Sequence, residues 1–240
     1  MSAASAPERP PSLLGVTIRR AATLGKFNLG YGIVVAVILA ISLGAASGNA
    51  FASSFALLLP IFGVVGSLGA VMVFTSDRMK GALEYFLAYG LSPRRLFANV
   101  VVAGIVLASV VVGVATAVGF GVYLAAGHTL TPMLVEGIVV YAIPMAYAST
   151  SLTAMVSMYW SALSSPRSGM SSPLGLAPLI GVIPPVAVLV LAGVAAGSRL
   201  AGLTPAGVAV AALGVVAAAA FGLLALGSRL LLRERLLSSS

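Results

Sequence analysis

This chain predicts an all-α integral membrane protein with six transmembrane helices, both termini cytoplasmic, an interfacial helix before the first span and a short cytoplasmic helix between the second and third. Three observations lead there. Of 240 residues, 60% are hydrophobic and 8% charged, with a mean hydropathy of +1.13; a soluble domain is roughly half apolar and a quarter charged. The apolar residues fall in blocks long enough for a hydrocarbon core about 30 Å thick, which takes about 20 residues at about 1.5 Å rise each. Finally, twelve of the 13 Lys and Arg residues sit between blocks on one side, leaving Arg199 alone opposite. The positive-inside rule puts that basic side in the cytoplasm.

The elements follow in order. Residues 1–28 form a cytoplasmic N-terminal segment, too polar and too long to open a cleaved signal peptide. Within it, 12–27 reads either as a helix lying flat on the membrane, with Leu14, Ile18, Ala21 and Leu24 on one stripe, or as a plain basic flank. Residues 29–227 hold the spans, expected at 29–45, 51–74, 97–124, 133–158, 174–196 and 205–227. Pro60, Pro144, Pro184 and Pro185 are the expected kinks. The outer connections 46–50, 125–132 and 197–204 are too short for a folded outer domain. The segment 159–173, rich in Ser, Pro and Gly, reads as a loop, and 228–240 as a basic cytoplasmic tail.

Composition also excludes. The net charge of +8 is spread over the segments between spans and forms no single face, so anionic lipid headgroups and the bilayer are the expected partners, with no nucleic acid. With no cysteine, disulfide and thiolate chemistry are excluded. The Gly25-Lys26 pair lacks the earlier glycine and the following hydroxyl residue of a phosphate-cradling loop, so this chain binds no nucleotide by that motif. Gly66-Ser67-Leu68-Gly69 invites a second class, an intramembrane serine protease. Against it, the sole histidine, His128, lies in an expected outer loop, out of reach of Ser67. Gly63, Gly66 and Gly69, and the run Gly207, Ala211, Gly214, Ala218 and Gly222, read instead as small-residue surfaces for helix packing.

The most informative segment is the second cytoplasmic connection, Thr75-Ser-Asp-Arg-Met-Lys-Gly-Ala-Leu-Glu-Tyr-Phe-Leu-Ala-Tyr-Gly-Leu-Ser-Pro-Arg-Arg95. It predicts a helix over about 76–90, capped by Ser76 or Asp77, supported by Lys80 with Glu84, and closed by Gly90 and Pro93. Leu83, Phe86 and Leu87 would form an apolar face to dock on the membrane or in a partner's groove.

Asp77-Arg78, Gly81, Leu83, Glu84 and Leu87, followed by Leu91-Ser92-Pro93, resemble the same connection in the ABC type 2 transporter permeases. The resemblance implies a six-span membrane subunit of an exporter. It implies that Asp77, Arg78, Gly81, Leu83, Glu84, Phe86 and Leu87 belong to a coupling helix inserted in an ABC ATPase subunit. It also implies a homodimer or a heterodimer with a similar permease, with no catalysis and no cofactor on this chain, ATP being bound by the ATPase. Two departures bear on substrate: Ala98 and Asn99 stand where the family often has lysine, and 197–204 is too short for an outer re-entrant hairpin. The other class consistent with the residues is a secondary transporter or membrane scaffold that needs no ATPase.

Two polar features remain within the spans. Glu136 reads either as an interfacial carboxylate, hydrated or ion-paired with Arg199, or as a proton-coupling or substrate group. The fourth span is the most polar. Its Tyr141, Tyr147, Thr150 and Thr153 are candidates for a translocation path, the other reading being hydroxyls bonded to their own helix backbone.

Overall fold

The computed structural model describes residues 12–45 and 48–163. They form helices α1 (Leu13–Leu24), α2 (Lys26–Gly44), α3 (Gly48–Met79), α4 (Ala82–Ala88), α5 (Pro93–Ala125) and α6 (Pro132–Glu136), then a π-helical stretch (Gly137–Ala142) that runs into α7 (Ile143–Leu163). Every regular element among the described residues is a helix, and three helices are long and apolar enough to cross a membrane: Lys26–Gly44, Leu58–Met79 and Pro93–Ala125. They coincide with the first three expected spans. The fifth and sixth spans, the tail, Arg199 and the glycine run from Gly207 to Gly222 lie outside the described residues.

Helix α3 is the hub and packs on α1, α2, α5 and α7. Its glycines Gly63, Gly66 and Gly69 turn successively around the helix, so each admits a different neighbour. A Cβ on Gly63 would lie 2.8 Å from Thr150 Oγ1 of α7, one on Gly66 3.0 Å from Ala108 Cα of α5, and one on Gly69 2.5 Å from the Ala21 carbonyl oxygen of α1. What reads in sequence as one packing surface is three close crossings, each holding two backbones at a distance that larger residues would forbid.

Helix α2 meets α3 and α5 through Gly32, Ala36, Ala40 and Gly44, small residues spaced by four and therefore on one stripe. Its outer stripe, Phe27, Tyr31, Val34, Ile38 and Ile41, is exposed. Exposed apolar side chains in such a row would be costly in water and suit a lipid surround. Two apolar clusters result. One joins Phe51, Phe55, Leu59 and Phe62 with α2, α5 and the π-helical stretch. The other joins Val71, Phe74, Leu83, Leu87, Phe97 and Val101 with Met155 and Met158 of α7.

Boundaries differ from expectation where local chemistry intervenes. Pro60 is accommodated inside α3. Pro144 falls just after the π-helical stretch. Proline lacks the N–H that an α-helix needs and its ring crowds the carbonyl four residues back, so a widened turn precedes it. The expected fourth span, 133–158, is thus a composite of α6, the π-helical stretch and α7. Tyr159–Leu163, expected in a loop, continue α7.

Candidate functional site

Helix α1, the last turn of α3, α4 and the first turns of α5 meet at one end of the bundle. Ser12 caps α1 by accepting the Gly15 N–H at 3.1 Å. The helix does not lie free as a surface element. Thr17 and Ala21 are buried, and at its end Gly25 and Gly69 touch backbone to backbone, a Cβ on Gly25 falling 2.5 Å from Gly69 Cα.

Arg20 fastens this packing with a bidentate ion pair to Asp77. Its Nη1 donates to Oδ2 at 2.9 Å, and its Nη2 donates to Oδ1. The Asp77 side chain is 8% exposed, that of Arg20 38%. The hydrogen bond from Arg20 raises the guanidinium above its ordinary pKa, outweighing the opposing effect of burial, so the cation persists throughout the neutral range. A two-pronged fork on a largely buried carboxylate fixes orientation as well as distance.

Asp77 therefore neither caps the next helix nor pairs with its neighbour Arg78. Arg78 sits in the last turn of α3, where a cation suits the helix C-terminus, and its Nε and Nη2 are buried with no partner among the described residues.

The short helix begins at Ala82, not near 76, and no side chain caps it. Gly81 stands before it at φ 70°, and Gly90 follows it at φ 83°. Both values favour glycine, so the two ends of α4 are set by backbone conformation. Lys80 precedes the helix and forms no ion pair with Glu84, which sits instead in the first turn, where a carboxylate suits the helix dipole. Pro93 opens α5 at its first position, with Ser92 Oγ accepting the Arg95 N–H at 3.4 Å.

The orientation of α4 corrects the expected docking face. Leu83 and Leu87 are buried in this chain's own core and Phe86 packs partly against it, so these leucines anchor α4 to the bundle and are not offered to a partner. What faces outward is Tyr85, 68% exposed, and Tyr89, 87% exposed, with Met79 and Lys80 beside them.

Between α1, α3, α4 and α5 lies a cavity of 230 Å³, walled by apolar side chains such as Val16, Phe74, Leu83 and Val100, with Thr17, Arg20, Asp77 and Asn99 as its polar part. It is larger than the roughly 150 Å³ that accommodates a benzene-sized molecule.

The polar face of α7 has a different character. Tyr147 is within hydrogen-bonding reach of Ser109 on α5, hydroxyl to hydroxyl at 3.0 Å. Ser149, Thr150, Thr153 and Ser157 are buried, and none has a hydrogen-bond partner among the described residues. A buried hydroxyl left unpaired costs about 1–3 kcal/mol. Tyr141 belongs to the π-helical stretch and Glu136 ends α6; their side chains, like Arg199, lie outside what is described.

Ser67, of the Gly-Ser-Leu-Gly run, is buried and donates to the Val64 carbonyl at 2.8 Å. His128 stacks on Tyr123 beyond the end of α5. Among the described residues no group of His, Asp and Glu is arranged to hold a metal.

Sequence reasoning thus placed a short helix here and named Asp77 as a cap or partner contact, but missed its pairing with Arg20 and the outward Tyr85 and Tyr89. The alternation of buried Leu83 and Leu87 with exposed Tyr85 and Tyr89 was a usable signal, since tyrosine tolerates a wet face and leucine does not. Comparison with protein families, with curated proteins and with solved structures gives no match.

Proposed function

We propose that this chain is the membrane-spanning permease subunit of an ABC exporter, similar to the ABC type 2 permeases, with α4 as its cytoplasmic coupling helix and ATP bound on a separate ATPase subunit. In this reading six spans cross the cell membrane, both termini are cytoplasmic, and the permease works as a dimer. One observation carries the proposal: a seven-residue helix, set between two long apolar helices by left-handed glycines at both ends, roots its leucines in the core and turns two tyrosines outward.

Such a helix can pass force inward. Pressure on Tyr85 and Tyr89 is delivered through Leu83 and Leu87 to the cluster that contains Val101 of α5, Ala21 of α1 and Met155 of α7. Aromatic residues flanked by polar ones are the usual anchors of a protein interface. The resemblance at Asp77-Arg78, Gly81, Leu83, Glu84 and Leu87 adds direction, with the buried members now read as structural.

The test is copurification of the tagged chain from its native membrane. Wild type should bring an ATPase with it, and Tyr85→Asp with Tyr89→Asp should remove the ATPase while yield and thermal midpoint stay unchanged. An unchanged ATPase ratio would remove α4 as the docking element. Recovery of no ATPase by wild type would favour the secondary transporter or scaffold.

A further inference from the structure

Hydroxyl groups behave differently on α7 than on its neighbours. On α1, α2, α3 and α5, seven Ser and Thr side chains donate to a carbonyl three or four residues back, among them Thr17 to Leu13 at 2.9 Å, Thr75 to Val71 at 2.9 Å and Thr116 to Val112 at 2.7 Å. This is the ordinary way a helix satisfies a hydroxyl away from water. The four buried hydroxyls of α7 do not take it. Ser149, Thr150, Thr153 and Ser157 are at most 1% exposed, yet unpaired among the described residues.

They are also aligned. Ser149, Thr153 and Ser157 are spaced by four and Thr150 lies beside them, so all four share one face that climbs about 12 Å along the axis. Gly63 of α3 bounds one end of this row in close contact, since a Cβ there would lie 2.8 Å from Thr150 Oγ1. The whole of α7 carries no charged residue. Buried polar groups are ordinarily paired, so four in a row mark a place whose partner is something other than this helix's backbone.

We propose that the Ser149, Thr150, Thr153 and Ser157 face is the polar wall of a substrate path along α7, and that the substrate is an uncharged molecule carrying several hydrogen-bonding groups. This rests on the transporter reading above and adds the substrate class to it. Hydroxyls can donate and accept toward hydroxyl, amide or carbonyl groups of a passing molecule. A wall without charge gives an ion no compensation for the water it would lose.

The absence of native cysteine allows a direct test in lipid vesicles. Ser149→Cys, Thr150→Cys, Thr153→Cys and Ser157→Cys are made singly, with Val106→Cys on the exposed face of α5 as the control, and each is treated with a small water-soluble maleimide. A path predicts that at least Thr153→Cys and Ser157→Cys react about tenfold faster than Val106→Cys, because a thiol held in apolar surroundings stays protonated and inert.

Octyl glucoside, below the concentration that disrupts the vesicles, should then slow the reaction, while octyl sulfate, with the same chain and a charged head, should not. Four variants that elute as folded protein and react as slowly as Val106→Cys would overturn the path. Protection by octyl sulfate and not by octyl glucoside would overturn the uncharged class. The experiment needs no ATPase, so loss of copurification with labelling intact would defeat the permease reading alone.

Discussion

The two ends of the bundle are built on different principles. At the end where α5 meets α6, aromatic rings fill the space. Phe51 stacks on Phe55 at 5.0 Å and on Tyr123 at 4.8 Å, Phe120 meets it edge-on at 6.0 Å, and His128 lies on Tyr123 at 4.7 Å. Gly119 of α5 lets the Phe55 ring approach its backbone. At the opposite end α1, α3, α4 and α5 enclose the 230 Å³ cavity and are tied by the Arg20–Asp77 pair. One end is filled by rings in mutual contact; the other is held by directional bonds around a space. An end filled by rings has little room to lose or gain atoms, whereas an end built around a space has more.

The largest effect should come from opening the packed end. Phe51→Ala removes a fully buried ring with three aromatic neighbours and should cost about 3–5 kcal/mol, read as a drop in thermal midpoint in detergent. If Val16→Ala, at the wall of the cavity, costs as much, the two ends do not differ in packing.

Adding atoms sharpens the same contrast. An Ala at Gly119 would place its Cβ 2.7 Å from the Phe55 ring, which is buried and has nowhere to go. Overpacking of this kind costs about 1–3 kcal/mol, only partly offset by the better helix propensity of alanine, worth up to about 1 kcal/mol. Val100→Ile adds a comparable volume beside the cavity and should be tolerated within about 0.5 kcal/mol. Equal penalties at the two sites would mean that the cavity is not open to its own walls.

The ion pair should break asymmetrically. Arg20→Gln leaves a largely buried Asp77 carboxylate unpaired, whereas Asp77→Asn leaves Arg20, more than a third of whose side chain reaches solvent. The first should cost about 1–3 kcal/mol and the second less, since exposure screens the remaining charge. The double variant should recover part of the loss, and additive losses would show that the pair is not the fastening of α1.

Much of the helix layout was legible beforehand, because in a membrane chain the hydropathy blocks are dictated by the solvent. Three expected spans coincide with helices long and apolar enough to cross, and Gly90 takes the left-handed conformation expected of it. What failed were choices between short-range partners. Asp77 could cap the next helix, pair with Arg78, or reach a residue 57 positions away, and only the fold decides among these. The faces of α4 were ambiguous for a related reason: a seven-residue helix has two turns, and its apolar stripe looks the same whether turned to the chain's own core or to a partner. The four hydroxyls of α7 were visible, but their lack of backbone bonds is not a property that spacing records.

The smallest effect on the fold is expected where the proposed interface is. Tyr89 closes α4 and is 87% exposed, so Tyr89→Ala removes a ring that touches little of this chain and should change stability by no more than about 0.5 kcal/mol. Leu87→Ala, two residues before it, removes a buried side chain from the core and should cost about 2–5 kcal/mol. The pair separates anchoring from docking within one short helix. Under the coupling reading, Tyr89→Ala loses ATPase at an unchanged midpoint, because truncating an exposed aromatic anchor affects only the complex, while Leu87→Ala lowers the midpoint with or without a partner. A loss of about 2 kcal/mol from Tyr89→Ala in the isolated chain would mean that the outer face of α4 is packed within the folded protein, leaving no surface there for an ATPase to press upon.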